Sequence, residues 1–450
     1  MSDASDGRRH HQGRSAASRP GARLRGYLRG QERPPGPFRP EFWRSPLRGP
    51  WLTSVFGLVL LVGLPLVAIT GLISYAAYDP RLPGNDITPE RGLFGFYLFD
   101  WPTSPVWLYR VTQGVHVILG LTLVPILLAK LWSVIPKLFA WPPTGSPAQT
   151  LERASLLLLV GGAVFEFVTG ILNIQLFYVF PFSFYPAHLY GAWIFLAALA
   201  VHIAIKLPRL LTSLRSRSFH QELRTSLRDT RPEPPDPDGL VAAAPAPPTI
   251  SRRGLLAFVG GGSLAVLGLS AGQTMDGPLR RTALLAPHGR YYGSGPNDFQ
   301  VNKTAASVGV VAAETGPGWR LTVHGARQVR LSREELLAMP LYTYRLPIAC
   351  VEGWSTEQTW TGVRLTDLAR LSGADGGAGV YVRSLQRGGV FSHVSLSPGQ
   401  ATDPRSLLAL RVNGADLSLD HGFPARIMVP NAPGVHNTKW VRELDFRAPP

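Results

Sequence analysis

Four long apolar runs dominate the first half of the chain, at residues 52–77, 107–132, 154–175 and 187–207. A helix of about twenty residues crosses a hydrocarbon layer of about 30 Å, so the pattern predicts a four-helix transmembrane domain over residues 51–210. Aromatic residues cluster near the ends of the runs, as is typical of the two membrane–water interfaces; they include Trp51, Tyr78, Trp107, Trp132, Tyr178 and Tyr185.

A different pattern separates this domain from the rest of the chain. Residues 211–250 contain a Pro-, Ala- and Asp-rich linker at 229–249, a composition that cannot pack a core. A fifth apolar run follows within residues 251–273 and begins at Arg252-Arg253. It is interpreted either as a twin-arginine export signal inside the chain or as an ordinary fifth anchor helix with two flanking charges.

Beyond residue 283 the apolar runs become short and rich in β-branched and aromatic residues. Gly, Pro and Asn turns separate the runs at 319–324, 380–385, 390–396 and 425–429. Two amphipathic stretches, 332–338 and 366–371, interrupt them. This pattern predicts a mixed α+β, β-rich globular domain over residues 283–450.

The formal charge of +16 is concentrated at the start of the chain. Residues 1–50 hold eleven arginines and four acidic residues, which predicts a disordered basic tail on the cytoplasmic side of the first helix. The residues after 273 are then expected outside a bacterial cytoplasmic membrane that the chain crosses several times. No aromatic residues alternate with the basic ones in a nucleic-acid-binding motif, so nucleic-acid partners are not expected.

Histidines inside apolar spans are costly and usually functional. His188 and His202 are fourteen residues apart, which puts them on nearly one helix face about 21 Å apart, a spacing that suits two stacked haem irons. His116 lies at a similar depth to His188, and this pair is predicted to ligate one haem b; hydrogen-bonded helix contacts are the alternative. His202 stays open between a haem with an unusual partner, a quinone or proton site, and a bond to a carbonyl.

The four spans, His116 and the spacing of His188 and His202 resemble the cytochrome b subunits that accompany formate dehydrogenases and hydrogenases. The resemblance implies haem b, one or possibly two, and a quinone/quinol pool as partner. The first helix departs from the family because it lacks a histidine, which leaves the second haem open. Glu166 in the third span is interpreted either as a proton or quinone group or as a neutral acid bonded between helices.

The chain has one cysteine, Cys350, and therefore no intramolecular disulfide. Such a thiol is either a buried apolar group or a reactive or metal-binding one. It lies in Pro-Ile-Ala-Cys350-Val-Glu-Gly-Trp, followed by Trp360-Thr-Gly. These segments resemble the metal-ligand region of the sulfite-oxidase-like molybdopterin family, and most closely the catalytic subunits of periplasmic methionine-sulfoxide reductases. The resemblance implies that Cys350 ligates molybdenum, for which a soft thiolate is suitable.

Two further blocks resemble the pterin-binding segments of the same family in the same order, so the resemblance covers residues 291–447. The first block opens at Gly293, and the second runs from Asp420 to Lys439 and beyond. The pterin contacts that the resemblance implies are Asn297, Gln300, Val301, Ser384, His421, Arg426, Asn437, Thr438 and Lys439. Arginine and lysine supply the cationic donors that a terminal phosphate needs.

Glu352 and Trp354 stand where sulfite oxidases have a basic cluster for their anionic substrate, and a carboxylate there disfavours a dianion. The sequence therefore predicts a membrane-bound molybdenum oxidoreductase that passes electrons between quinone, haem b and molybdopterin, and reduces an S- or N-oxide such as methionine sulfoxide. Two alternatives stay open: oxidation of a small substrate such as sulfite, and a non-catalytic membrane receptor. The cofactor is inserted in the cytoplasm, so the twin-arginine export machinery is an expected partner.

Overall fold

The computed structural model describes residues 27, 32–85, 99–142, 146–175, 179–236, 239–275, 277–288, 293–389 and 392–447. Most of the predicted basic tail, residues 1–26 and 28–31, lies outside the described residues. Long helices occupy the first part of the chain, and a β-rich domain occupies the last part.

Four long helices form the first part: α1 (Pro50–Ala76), α2 (Leu108–Leu138), α3 (Pro147–Asn173) and α4 (Phe184–Arg215). The short α5 (Phe219–Arg224) and the longer α6 (Arg252–Ser270) follow. α1 packs against α2 and α4, α3 packs against α4, and α6 packs against α2. Among the described residues, five helices are long and apolar enough to cross a membrane, and α6 is one of them. The long apolar helices that the pattern predicts are therefore present.

The ends of α2, α3 and α4 differ from the predicted spans. α2 and α4 continue past residues 132 and 207, and α3 begins before residue 154. The added turns carry Lys137, Glu152 and Arg209. Hydropathy detects only the stretch that lies in hydrocarbon, whereas backbone hydrogen bonds continue a helix into water.

The linker was predicted not to pack a core, but part of it is buried against α1. Glu233 accepts hydrogen bonds from the backbone nitrogens of Trp51 (2.9 Å) and Leu52 (3.3 Å), two groups at the helix start that have no partner within the helix. Arg252 is 1% exposed and lies 3.5 Å from the Glu222 carboxylate. Charged groups thus order this segment where its apolar content is too low to do so.

The β-rich domain contains two sheets. Its strands are β1 (Leu321–His324), β2 (Gln328–Leu331), β3 (Tyr342–Ala349), β4 (Ser355–Arg364), β5 (Val380–Ser384), β6 (His393–Leu396), β7 (Leu407–Val412), β8 (Ala415–Asp416), β9 (Arg426–Met428) and β10 (Val441–Asp445). One sheet has the order β2-β1-β10-β5-β6; the other has the order β3-β4-β7-β8, with β9 also paired to β7. β1 and β10 are parallel, and the other strand pairs are antiparallel.

Short helices connect these strands, at α7 (Ala312–Thr315), α8 (Arg333–Ala338), α9 (Leu365–Leu371) and α10 (Pro398–Thr402). The two predicted amphipathic stretches are α8 and α9. α8 begins at a capping box in which Ser332 and Glu335 bond to each other's backbone. The main core contains five fully buried residues, Leu321, Val382, Leu410, Ile427 and Val441. The predicted β-rich domain is therefore present.

Candidate functional site

Cys350 lies in the tight turn that joins β3 to β4. Its backbone nitrogen donates to the carbonyl of Trp354 (2.9 Å), and Gly353 donates back to the carbonyl of Cys350 (3.0 Å). Gly353 has a φ of 87°, a conformation that glycine adopts without strain. The thiol is buried, and burial first and Glu352 second raise its pKa well above the ordinary value. A bound metal would reverse this preference, because metals bind the thiolate.

The second predicted block lies directly beside this turn. Ala349 pairs with Pro433, and the nitrogen of Gly434 donates to the carbonyl of Ala349 (2.8 Å). A Cβ atom on Gly434 would lie 3.7 Å from the Cα atom of Cys350. The fold therefore brings residues 433–439 against the predicted metal ligand, although about eighty residues separate them in sequence.

Five of the predicted pterin residues carry a buried side-chain atom that has no hydrogen-bond partner within the described residues: Gln300 Nε2, His421 Nδ1, Arg426 Nε, Asn437 Nδ2 and Thr438 Oγ1. Folded proteins leave few buried polar atoms unpaired, so such a group of them indicates a ligand. Amide, guanidinium, imidazole and hydroxyl donors suit a polar anion with many acceptors. The residues present therefore fit a phosphate-bearing pterin.

Backbone contacts hold these side chains in place. His421 Nε2 lies 2.9 Å from the carbonyl oxygen of Asn297, and the His421 ring stacks on Phe299 with centroids 3.7 Å apart. Arg426 Nη1 donates to the carbonyl of His421 (3.2 Å). Asn437 Oδ1 accepts from the nitrogen of Val429 (2.9 Å). Each contact uses one polar atom of the side chain and leaves another for a ligand.

Two buried cations give this region its charge. Burial lowers the pKa of Arg426 to about 9. Burial, followed by the nearby charge of Arg426, lowers the pKa of Lys439 well below its ordinary value. Lys439 Nζ donates to the carbonyls of Lys303 (2.8 Å) and Asp420 (2.7 Å). An anion bound here would favour the charged form of both side chains.

Three of the implied pterin residues are placed differently. The Asn297 side chain donates to the carbonyl of Asp416 (2.9 Å) and accepts from the nitrogen of Ser418 (2.7 Å). The Ser384 hydroxyl donates to the carbonyl of Lys439 (2.7 Å). Val301 is half-buried. Asn297 and Ser384 thus fix the loops that carry other site residues, and their direct contact with a pterin stays a prediction.

A second candidate site lies among the long helices, where His116 on α2 faces His188 on α4. Their ring centroids are 6.3 Å apart, with the rings nearly perpendicular. An imidazole nitrogen lies about 2 Å from a metal that it ligates, so two imidazoles on opposite sides of one metal have centroids about 6 Å apart. The two histidines line one cavity together with Gly71, Gly120 and Gly170. Glycines there leave room for a flat group between the helices.

Each of the two histidines has polar contacts at its Nδ1 atom. His116 Nδ1 lies 2.9 Å from the carbonyl oxygen of Val67, which can only accept. His188 Nδ1 lies 3.1 Å from Glu166 Oε2 and 3.1 Å from the Thr169 hydroxyl, whose own hydrogen goes to the carbonyl of Phe165. Because a carbonyl oxygen only accepts, Nδ1 is the donor in His116, and its Nε2 keeps the lone pair that an iron ligand needs.

His202 is not brought to another histidine within the described part of the chain. The charges of Lys130, Lys137 and Lys206 act on it. Lys130 Nζ donates to the carbonyl of Thr53 (2.7 Å) on α1, the helix that lacks the histidine a second haem would need. The structure thus adds no support for a second bis-histidine site.

Sequence reasoning missed the residues that join the two candidate sites. Gln113 Nε2 donates to the carbonyl of Val351 (2.6 Å), and Val351 also lines the cavity of the two histidines. A polar residue three positions before His116 shares its helix face, and this was a usable signal. Asn431 gave no such signal, whereas His436 is one of the residues that the sequence left open as a possible pocket residue. His436 has a buried, unpaired Nδ1 in the described structure, and its ring lies 6.0 Å from that of Tyr78.

Comparison with known proteins identifies the domain that holds Cys350. Residues 308–450 match the family model described as the oxidoreductase molybdopterin binding domain. This part of the chain is therefore similar to molybdopterin-binding oxidoreductase domains, sulfite oxidases among them. The matched residues include Cys350 and four of the five residues with an unpaired buried donor, His421, Arg426, Asn437 and Thr438.

Three relatives extend the comparison. The uncharacterized oxidoreductase YuiH of Bacillus subtilis is 34% identical over 131 residues, covering 28% of this chain and 65% of that protein. The putative protein-methionine-sulfoxide reductase subunit YedZ1 of Azospira oryzae is 32% identical over 111 residues, covering 25% and 41%. Mitochondrial sulfite oxidase of Drosophila melanogaster is 27% identical over 152 residues, covering 27% and 25%. The chain thus spans less than two thirds of the length of each relative.

Proposed function

We propose that this chain is a membrane-bound molybdenum oxidoreductase. Electrons pass between a quinone pool, one haem b held by His116 and His188, and a molybdopterin centre at Cys350, and the substrate is an S- or N-oxide. The molybdopterin domain and its homology to oxidoreductases support the enzyme class. The facing arrangement of the two histidines, with ring centroids 6.3 Å apart, supports the haem.

The observation that carries the proposal is the direct contact between the turn of Cys350 and the helix of His116. Gln113, one helical turn from His116, donates to the carbonyl of Val351. A Cβ atom on Gly353 would lie 2.7 Å from Val117, the neighbour of His116. One helical turn and one hydrogen bond thus link the two cofactor-binding regions, which is the arrangement that electron transfer within one chain requires.

The chain's own residues have separate roles at the molybdopterin. Cys350 supplies a thiolate to the metal, while Arg426 and Lys439 hold the anionic end of the cofactor. His421, Asn437, Thr438 and Gln300 offer hydrogen bonds to its polar atoms. The bound molybdenum centre supplies two-electron oxygen-atom transfer.

The side chains next to Cys350 favour an uncharged oxide. Glu352 accepts a hydrogen bond from Trp354 Nε1 (2.6 Å) and contacts His288, so its carboxylate is held in the turn of the metal ligand. A negative charge there repels a dianion such as sulfite. The name of the methionine-sulfoxide reductase relative agrees with this substrate class.

The proposed location is a bacterial cytoplasmic membrane, with the molybdopterin domain on the outer face. The Arg-rich start of the chain supports a cytoplasmic N-terminus by the positive-inside rule. Arg252 is buried in the folded chain. Twin-arginine export of this chain therefore requires that the machinery bind Arg252 and Arg253 before the linker folds around them.

The test is the stoichiometry of molybdenum and haem b in the full chain, purified in mild detergent. We expect about one of each; Cys350→Ala loses molybdenum and keeps the haem spectrum, because the thiolate ligand is gone and the bundle is untouched. His188→Ala is expected to lose the haem and keep molybdenum. His220→Ala, at an exposed position, is expected to change neither the haem nor the molybdenum content. Haem without molybdenum in the native protein would contradict the enzyme class, and molybdenum without haem would contradict the electron path.

A further inference from the structure

The two facing histidines differ in what their Nδ1 atoms contact. His116 Nδ1 donates to a backbone carbonyl, that of Val67 (2.9 Å). A carboxyl oxygen from the neighbouring helix α3, Glu166 Oε2, lies 3.1 Å from His188 Nδ1. The Thr169 hydroxyl lies at the same distance from His188 Nδ1. A side-chain carboxyl inside an apolar span is costly, so this asymmetry calls for a reason.

The carboxyl group of Glu166 is committed to His188. Its side chain is 10% exposed, and within the described residues it forms no ion pair with lysine or arginine. Oε1 is buried and has no hydrogen-bond partner there. A Cβ atom on Gly191 would lie 2.3 Å from Oε1, so only glycine at that position of α4 leaves space for the carboxyl. The carboxyl of Glu166 therefore lies directly against the backbone of α4 at Gly191.

A hydrogen-bond acceptor on the second nitrogen of a ligating imidazole makes the first nitrogen a stronger donor to the metal. Stronger donation stabilises oxidised iron more than reduced iron, because the oxidised ion carries more positive charge. Hydrogen bonding to axial ligands is one of the means by which a protein adjusts a haem potential. The expected direction at this site is a lower potential than a carbonyl acceptor alone would give.

We propose that Glu166 is a positioning residue that lowers the reduction potential of the haem by placing a carboxyl oxygen 3.1 Å from His188 Nδ1, where it can accept the ring proton. This inference rests on the proposed function, since it requires a haem between His116 and His188. A lower haem potential makes the haem a stronger reductant, which is what delivery of electrons to a molybdenum centre for oxide reduction needs. Glu166 thereby favours the proposed direction of electron flow.

The test measures the midpoint potential of the haem in the full chain in mild detergent, by spectroscopic titration. Glu166→Leu removes the acceptor and is expected to raise the potential. The expected size is about a tenfold change in the ratio of reduced to oxidised haem at a fixed solution potential, about 59 mV for one electron. Glu166→Gln keeps an acceptor and is expected to stay closer to the wild type. Gly161→Ala on the same helix, with nothing within 4 Å of its Cβ, serves as control.

The outcomes separate this inference from the function on which it rests. A wild-type protein without haem would contradict the proposed function. Haem in every variant at an unchanged potential would contradict the role of Glu166 and leave the proposed function standing. A glutamine variant shifted as far as the leucine variant would show that side-chain replacement, not the hydrogen bond, causes the shift. If the leucine variant loses its haem, the glutamine variant replaces it in the comparison. Its midpoint potential is then measured against that of Thr169→Val, which removes the other polar group beside His188 Nδ1.

Discussion

Several polar and ionisable side chains around Cys350 are buried in the domain at a cost in hydration that their own contacts do not fully offset. Arg426 and Lys439 are both nearly inaccessible, and their pKa values are lowered by burial. His436 is 2% exposed, and burial lowers its pKa to about 4. Such groups destabilise a fold whenever they must carry charge in a dry environment. Their burial here is consistent with a site arranged for a bound anion rather than for stability.

The buried histidine predicts how stability depends on pH. The unfolded chain protonates His436 near pH 6.5, whereas the folded chain does so only near pH 4. Its contribution is therefore complete above about pH 6.5 and is lost as the pH falls, by about 1.4 kcal/mol per pH unit. We expect His436→Gln to make the free energy of unfolding less dependent on pH between 6.5 and 4, as measured by chemical denaturation. His220→Gln should keep the wild-type slope; equal slopes for wild type and His436→Gln would contradict the prediction.

At the scale of elements, distant segments cap the helix ends. α2 has no side-chain cap of its own at Trp107. The molybdopterin domain supplies one, because Asn431 Oδ1 accepts from the backbone nitrogen of Tyr109 (2.7 Å). The Asn431 amide also donates to the carbonyl of Pro102 (2.7 Å). The end of a membrane helix and a loop of the other domain are thereby stabilised together.

Loss of this cap should loosen the start of α2. Asn431 has a φ of 56°, so Asn431→Gly removes the cap without adding backbone strain. We expect a loss of about 1 kcal/mol, typical of a helix cap, seen as faster hydrogen exchange at residues 109–112. Asn431→Asp should recover most of it, since a carboxylate accepts the same bond and favours a helix N-terminus. Similar exchange in the glycine and aspartate variants would show that the cap is not the cause.

At the scale of the whole molecule, the long helices and the β-rich domain contact each other between the two candidate cofactor sites. The turn of Cys350 touches α2 through Val351 and Gly353. Thr274, just after α6, donates to the carbonyl of Gly353, so the end of α6 also contacts the turn of Cys350. The path proposed for electrons therefore depends on docking, and not only on the residues that bind each cofactor.

A substitution at Gly353 tests this dependence. Gly353→Ala places a methyl 2.7 Å from Val117 and also strains a backbone with a φ of 87°. Gly414→Ala has the same strain, about 1–2 kcal/mol, with nothing within 4 Å. We expect at least a tenfold slower reoxidation of haem by oxide substrate in Gly353→Ala, with both cofactors still bound, and a near-normal rate in Gly414→Ala. Equal rates in the two variants would contradict a role for the contact.

Much of the architecture could be predicted from local patterns. The long apolar runs predicted the membrane helices, and short β-branched runs predicted strands near β1, β5, β6 and β9. The single cysteine and its neighbours predicted the molybdopterin domain, since that segment is contiguous in sequence. The helix ends and the packed linker were missed, because charged residues determine them and hydropathy does not register such contacts.

The sequence by itself determined which segments are apolar enough to cross a membrane, that a β-rich part follows them and which residues have the chemistry to bind a metal. These are properties of periodicity and residue type within short stretches of chain. Only the tertiary structure decided that His116 faces His188, that the Glu166 carboxyl lies beside His188 Nδ1 and that Gln113 reaches the turn of Cys350. Each of these contacts joins residues that are far apart in sequence, and no local pattern encodes the packing angle or docking that brings them together.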